Sequence, residues 1–222
     1  MALNGMLPDS SLRETVIGGR LTKSAARDAD SLALAFASKF YRSLRATDTY
    51  RTLASQQRLY QPPPVGKGPG LAAVPGTSNH GWGLAVDFAS NINRFGSTEH
   101  EWMRANAGRY GWQHPYWARQ GGGREEAWHW ERSGRARVRH TINRPRGRSL
   151  GLGSSGPEVR QLQRDLNKIY AKRGIEIADD GDFGMGTYAL VRRFQRARGY
   201  FLRNGVVGKW TKSAIARAVK AA

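Results

Sequence analysis

The residues with the most chemical potential sit between 78 and 88, in Ser-Asn-His-Gly-Trp-Gly-Leu-Ala-Val-Asp-Phe. His80 lies in a glycine-punctuated turn, where backbone can approach closely. Asp87 follows seven residues later, in an apolar run that alternates. A second stretch, Glu126-Ala-Trp-His129, offers another imidazole with a carboxylate nearby. Two histidines and one aspartate can hold a divalent ion and leave its fourth position open to water. An ion held this way lowers the pKa of bound water toward neutrality, and a nearby glutamate can act as the proton carrier. Thiolate ligands are excluded because the chain has no cysteine. His80, Asp87 and His129 are therefore the candidate metal ligands, with Glu126 as candidate base. Each alone has a plainer reading: a hydrogen-bonded strand aspartate, or a satisfied or surface histidine. His100, His114 and His140 are assigned to that plainer class.

Local patterns indicate which elements position these groups. Leu84, Val86 and Phe88 alternate with Ala85 and Asp87, so a strand here buries the first set and turns Asp87 to a cleft. Ala127–Glu131 reads as another strand, with Trp128 and Trp130 on one face and His129 on the other. Strict alternation would put Glu126 and His129 on opposite faces, so either the backbone bends or the strand starts after Glu126. Upstream, Ser11-Leu-Arg-Glu14 has capping-box spacing and predicts a short helix before Gly18-Gly19. Thr22 is predicted to cap a long helix whose apolar stripe runs through Ala26, Ala29, Leu32, Ala33, Phe36, Phe40 and Leu44. A short extended piece carries Arg51, a helix follows over about 54–61, and Thr98 opens another that stops at Gly111. Residues 61–70, rich in proline and glycine, predict a surface loop beside the site.

A basic, glycine-rich stretch divides the chain. The predicted organisation is a catalytic domain at 1–144, a linker at 145–153 and a helical domain at 154–222. In the last, Val159, Leu162, Leu166 and Ile169 mark one helical stripe. Ala189, Val191, Phe194 and Ala197 mark a second, and Thr211, Ile215 and Val219 a third. Asp180-Gly-Asp-Phe-Gly184 and Asn204-Gly-Val-Val-Gly208 read as turns between them. The predicted fold class is α+β with a small antiparallel sheet, joined to a small all-α unit of three helices.

The charge balance is 36 − 17 = +19 over 222 residues. Residues 141–222 carry 17 basic and 6 acidic groups, so the shorter part is the more basic. Such a field attracts polyanions, including nucleic acid, anionic membranes and phosphate-rich walls. No DNA-reading motif accompanies the charge, and nucleic acid is not the expected partner. Electrostatic contact with an anionic wall or outer membrane is, and a monomer is expected. The N-terminus lacks the basic start and apolar run of a signal peptide, and no stretch approaches a membrane span. Synthesis in the cytoplasm without self-export is the expectation.

Ser78-Asn-His-Gly-Trp-Gly-Leu-Ala-Val-Asp87 resembles the Ser-x-His-x-x-Gly-x-Ala-x-Asp pattern of VanY-type D-Ala-D-Ala carboxypeptidases, zinc peptidases sharing a fold with the hedgehog signalling domain. Tyr50-Arg51 with Gln57 resembles that family's Tyr-Arg-x(5)-Gln segment, and Glu126-Ala-Trp-His129 its Glu-x-Trp-His segment. The resemblance implies zinc on His80, Asp87 and His129, and Glu126 as general base and acid. It implies that Arg51 polarises the scissile carbonyl or holds a substrate carboxylate, and that Ser78 binds substrate. On their residues alone, Arg51 also suits a surface ion pair and Ser78 a turn. Residues 154–222 resemble three-helix peptidoglycan-binding domains. Together these imply hydrolysis of stem-peptide bonds in bacterial peptidoglycan, with phage endolysin as the expected role: storage in the host cytoplasm and action at the wall after release through a holin. An L-alanyl-D-glutamate endopeptidase of the same fold and a non-catalytic wall-binding protein are the alternatives.

Overall fold

The computed structural model describes residues 2–60, 72–134, 136–200 and 203–222. The predicted 61–70 loop and its place beside the site lie outside the described residues. The chain divides into two compact units: residues 1–32 with 45–139, and residues 33–44 with 140–222.

In the first unit, β1 (Leu12–Glu14) pairs antiparallel with β2 (Arg20–Thr22). The predicted helix at Ser11–Glu14 is therefore a hairpin strand. Gly18 and Gly19 adopt φ of 100° and 68° and close the turn, with Thr15 N–H donating to Gly19 O at 3.0 Å. Two left-handed residues in succession favour a hairpin over a helix stop, and Leu12 gains burial from the extended form. Helix α1 (Lys23–Phe40), whose residues from 33 on belong to the second unit, carries the predicted apolar stripe, with Ala26, Ala29, Leu32, Ala33 and Phe36 all buried.

A four-stranded antiparallel sheet, in the order β3-β4-β6-β5, comes next. It contains β3 (Ala46–Asp48), β4 (Ala85–Phe88), β5 (Trp112–Gln113) and β6 (His129–Arg132). Val86, Phe88, Trp112 and Trp130 lie at or below 1 % exposure and form the sheet's part of the core. Helix α2 (Leu53–Leu59) starts at Thr52, whose hydroxyl accepts from Ser55 N–H. Helix α3 (Thr98–Asn106) is capped by Ser97 and gives way to a 3-10 turn that stops at Gly111, φ 80°.

The second unit contains α4 (Pro157–Tyr170), α5 (Met185–Ala197) and α6 (Lys209–Lys220). Its core takes Val159, Leu162 and Leu166, but the first stripe ends on buried Tyr170 rather than on Ile169. Leu150, in the glycine-rich stretch, bridges Val207, and Gly153 N–H donates to Phe183 O at 3.2 Å.

Two glutamines organise this unit in parallel fashion. Buried Gln163 donates to Asp180 Oδ1 and Asp182 O, both at 2.9 Å, and to Thr187 Oγ1 at 3.2 Å, while its Oε1 accepts from Gly181 N–H at 2.8 Å. Buried Gln195 donates to Val206 O at 2.9 Å and reaches Thr211 Oγ1 at 3.4 Å, and its Oε1 accepts from Gly205 N–H at 2.9 Å. The partners fall in two matching segments, Asp180-Gly-x-x-Gly-x-x-Thr187 and Asn204-Gly-x-x-Gly-x-x-Thr211. In each, the first side chain accepts from the backbone two residues on, an Asx turn that leads into the next helix. The small unit is thus built as a repeated helix-turn-helix joint, each turn pinned by a glutamine from the preceding helix.

Candidate metal centre

The turn before β4 is built by Ser78. Its hydroxyl accepts from His80 N–H at 3.2 Å, and a 3-10 turn over Asn79–Trp82 ends at Gly83 in the left-handed region, φ 61°. Ser78 thus does act as a turn former, while also lining the cavity at the site. Gly81 allows a close approach: a Cβ there would lie 1.9 Å from Asn4 Oδ1. Asn4 in turn donates to Ser78 O at 2.8 Å and accepts from Gln56 Nε2 at 2.9 Å. The glutamine that anchors this segment is buried Gln56; Gln57, singled out from the sequence, is exposed.

Asp87 and His129 are direct partners in the β4–β6 register. Strand β6 begins at His129, after a turn in which His129 N–H donates to Glu126 O at 3.0 Å. That late start removes the alternation conflict, because Glu126 lies outside the strand. It also leaves Trp128 exposed before the strand while Trp130 is buried.

His80 Nε2 lies 3.3 Å from Asp87 Oδ1 and 3.4 Å from His129 Nδ1, and His129 Nδ1 lies 2.9 Å from the same carboxylate oxygen. Among the described residues, this is the one set of three such side chains whose ligand atoms converge within 4.8 Å. The far nitrogen of each ring is already used. His80 Nδ1–H donates to Thr49 O at 2.7 Å, and His129 Nε2–H donates to Glu131 Oε1 at 3.1 Å. These bonds select the tautomers in which both inner nitrogens present lone pairs. Two lone pairs and a carboxylate then face one point, an arrangement that repels itself unless a cation sits there. Zinc bonds of about 2.0–2.2 Å would span ligand atoms spaced this closely.

Electrostatics agree with a place made for positive charge. Burial opposes ionisation of Asp87, but hydrogen bonds from His129 and His80 outweigh it and hold its pKa well below the carboxylate range. Burial likewise disfavours a charged His129, yet its bonds to Asp87 and Glu131 raise its pKa to about 9. Without a metal, a proton serves as the cation. For Glu126, burial is the leading influence and raises the pKa, as suits a proton acceptor that later donates.

These groups open on a cavity of about 700 Å³, lined also by Arg51, Asn79, Trp117, Arg124, Trp128 and Glu131. Arg51 Nε donates to Asp48 Oδ2 at 2.9 Å, and its Nη2 stands 4.0 Å from Asp87 Oδ2. It separates two carboxylates that the β3–β4 register sets side by side, Asp48 and Asp87. Arg124 approaches Glu126 at 3.3 Å and lies over the Trp117 ring.

Several of these residues escaped the sequence analysis. Glu131 had a signal, since it lies two positions after His129 on one strand and so shares its face. Thr49 and Asn4 contribute through backbone or long-range contacts that no local pattern announces. Of the other histidines, His100 and His114 are buried in an aromatic stack with Phe95 and Trp130, and His114 Nε2 bonds Glu126 O at 3.1 Å. Among the described residues neither ring nitrogen of His100 makes a hydrogen bond, though Nδ1 stands 3.5 Å from Glu101 Oε1. His140 is exposed.

Residues 18–135 match the model of the VanY family, described as D-alanyl-D-alanine carboxypeptidase, and residues 155–215 match that of a peptidoglycan binding domain. The zinc D-Ala-D-Ala carboxypeptidase of Streptomyces albus G is 43 % identical over 67 residues, which cover 30 % of this chain and 26 % of that protein. The chain thus spans about a quarter of the curated relative it matches. Among solved structures, a zinc complex of a mutant vancomycin-resistance D,D-pentapeptidase VanY from a VanB-type cassette aligns at 23 % identity. That alignment covers 60 % of this chain and 87 % of the other, with a TM-score of 0.43. The SleB N-terminal domain aligns at 33 % identity over 32 % of this chain and 93 % of its own, with a TM-score of 0.29.

Proposed function

The chain belongs to the VanY D-alanyl-D-alanine carboxypeptidase family, and from that membership we propose that it is a zinc-dependent peptidase that removes the terminal D-Ala from peptidoglycan stem peptides. The observation that carries the reading is the convergence of His80, Asp87 and His129 with both outer ring nitrogens already bonded. When bound, zinc supplies a Lewis acid and an acidified water. The rest falls to the chain's own side chains. Glu126, at the cavity wall, takes the proton of the attacking water and returns it to the leaving amine. Arg51 keeps a fixed planar guanidinium beside the metal ligands, placed to bind the substrate's carboxylate or carbonyl oxygen. Ser78 contributes a polar lining atom. Trp117 and Trp128 offer apolar walls for the short alanyl side chains.

The second unit is read as a wall anchor. A binder on the same chain raises the effective substrate concentration, to about millimolar for short flexible linkers. A lytic role as a phage endolysin is the narrower form of this proposal. Co-expression with a holin should lyse the producing cell, and survival of that cell would remove the lytic role while leaving the peptidase.

The test is a synthetic pentapeptide ending in D-Ala-D-Ala. Mass spectrometry should detect free D-Ala with zinc present, none after exhaustive chelation, and none with Glu126→Gln. Full-rate release after chelation would sink the zinc reading. A new amino terminus on D-Glu would point to endopeptidase cleavage instead.

A further inference from the structure

Strand β6 serves two faces of the sheet. His129 and Glu131 face the metal ligands, while Trp130 and Arg132 alternate to the other side. There, Arg132 lines a second concavity with Ser24, Arg27, Arg137 and Arg139. Among the described residues, the carboxylate paired with it is Asp28, which is fully buried. Arg132 donates through Nε and Nη2 to Asp28 Oδ2, at 3.2 and 3.0 Å, and Arg139 Nε stands 3.3 Å from Oδ1. A buried carboxylate thus holds the Arg132 fork by hydrogen bonds and draws Arg139 near as an ion pair, leaving further N–H groups of each to reach a ligand. Arg27 and Arg137 are exposed, and among the described residues no carboxylate pairs with either. Four guanidiniums against one carboxylate give 4 − 1 = +3 around one depression.

Like charges held this closely repel unless something anionic joins them. A planar carboxylate is satisfied by a single fork. A phosphate group offers acceptor oxygens in several directions and can bind more than one fork at once. We propose that Ser24, Arg27, Arg132, Arg137 and Arg139 form a phosphate-binding site that grips the phosphodiesters of an anionic wall polymer. The choice of wall polymer over nucleic acid rests on the peptidase reading of this same unit; the anion site itself does not. The site lies outside the catalytic cavity, so it holds the enzyme to its target without touching the reacting peptide.

The test uses the full chain and poly(glycerol phosphate). Arg132 and Arg139 are left intact, because removing Arg132 would strip the buried Asp28 of its hydrogen bonds and removing Arg139 would take its second cation. The double variant R27A/R137A changes only exposed side chains. It should bind the polymer at least about tenfold more weakly near 150 mM salt, with an unchanged melting temperature and unchanged hydrolysis of a small soluble peptide. The charge-matched variant R146A/R217A, altered at exposed residues elsewhere, should lose less than about threefold. Equal losses in the two variants, or none in R27A/R137A, would reduce the effect to net charge and overturn the site. Duplex DNA bound as tightly as the polymer, with the same loss in R27A/R137A, would overturn the wall polymer as ligand. Inorganic phosphate binding as tightly as the polymer would overturn it too, in favour of the free ion. If the peptidase reading failed while the polymer result held, small-peptide hydrolysis would be absent in every variant, wild type included.

Discussion

Two buried polar centres, one in each unit, solve the same problem in opposite ways. Around Gln163 and Gln195, the side-chain amides donate and accept within the chain, and the surrounding turns close on themselves. At His80 and His129, the outer ring nitrogens are equally well bonded, but the inner ones point at each other and at Asp87. A neutral amide network that is complete makes structure. A cluster whose outward bonds are made and whose inward valences are left over makes a binding site. The difference lies in where satisfaction stops, since both centres are buried and both draw on distant segments.

The largest effect expected from this contrast is at Glu126. Glu126→Gln should reduce turnover by about 10²–10⁴-fold while zinc content and melting temperature stay unchanged, measured by peptide assay, metal analysis and calorimetry. If zinc is lost with activity, Glu126 belongs to the metal's support and not to proton transfer. Next comes Glu131, which anchors His129 through Nε2. Glu131→Gln should weaken zinc binding about 10–100-fold in chelator competition. An unchanged affinity would show that β6 alone orients the ring.

In the other unit, Gln163→Ala should destabilise by about 1–3 kcal/mol, because it leaves the buried Gly181 N–H without its acceptor. Gln195→Ala should cost less, since two of its contacts are long, at 3.4 and 3.5 Å. Neither should alter hydrolysis of a small peptide, and denaturant unfolding beside a kinetic assay would check both. A loss of turnover in either would erase the distinction between the two centres.

The smallest effect concerns protons. In the metal-free protein, His129 has a pKa near 9, above its ordinary value of 6.5. The folded state then binds more protons than the unfolded one between these values, so its stability falls as pH rises. The contribution is fully present below about 6.5 and is lost through about 9. Loading zinc at neutral pH should release close to one proton, read by calorimetry in buffers of different ionisation enthalpy. A zinc-bound protein that kept the same pH slope would place the proton elsewhere.

Much of this was legible along the chain. The alternation of Leu84, Val86 and Phe88 placed β4 and turned Asp87 from the core, and the glycines around His80 marked a tight turn. The α+β class and the three helices also followed from periodicity. What failed was local reading of a non-local outcome. Ser11–Glu14 has the spacing of a helix start, yet the Gly18-Gly19 turn and the pairing of Arg13 with Asp30 pull it into a hairpin. Gln57 occupies the position a pattern would choose, while burial by Asn4 and the 76–81 segment selected its neighbour Gln56. Thr49 contributes a main-chain oxygen, for which side-chain identity carries no information. The paired Asx-Gly turns were visible as turns, but the glutamines that hold them became meaningful only when the helices were brought together.

Asn4 has a practical consequence. Its side chain is wedged against the backbone of Gly81, and Gly5 exchanges main-chain bonds with Gly81 and Leu53. Loss of residues 1–5 would withdraw the peg from behind the imidazole-bearing loop without touching any ligand. Preparations trimmed there should retain their helices and yet lose grip on the ion, so cleavage sites placed near residues 1–5 need to spare that peg.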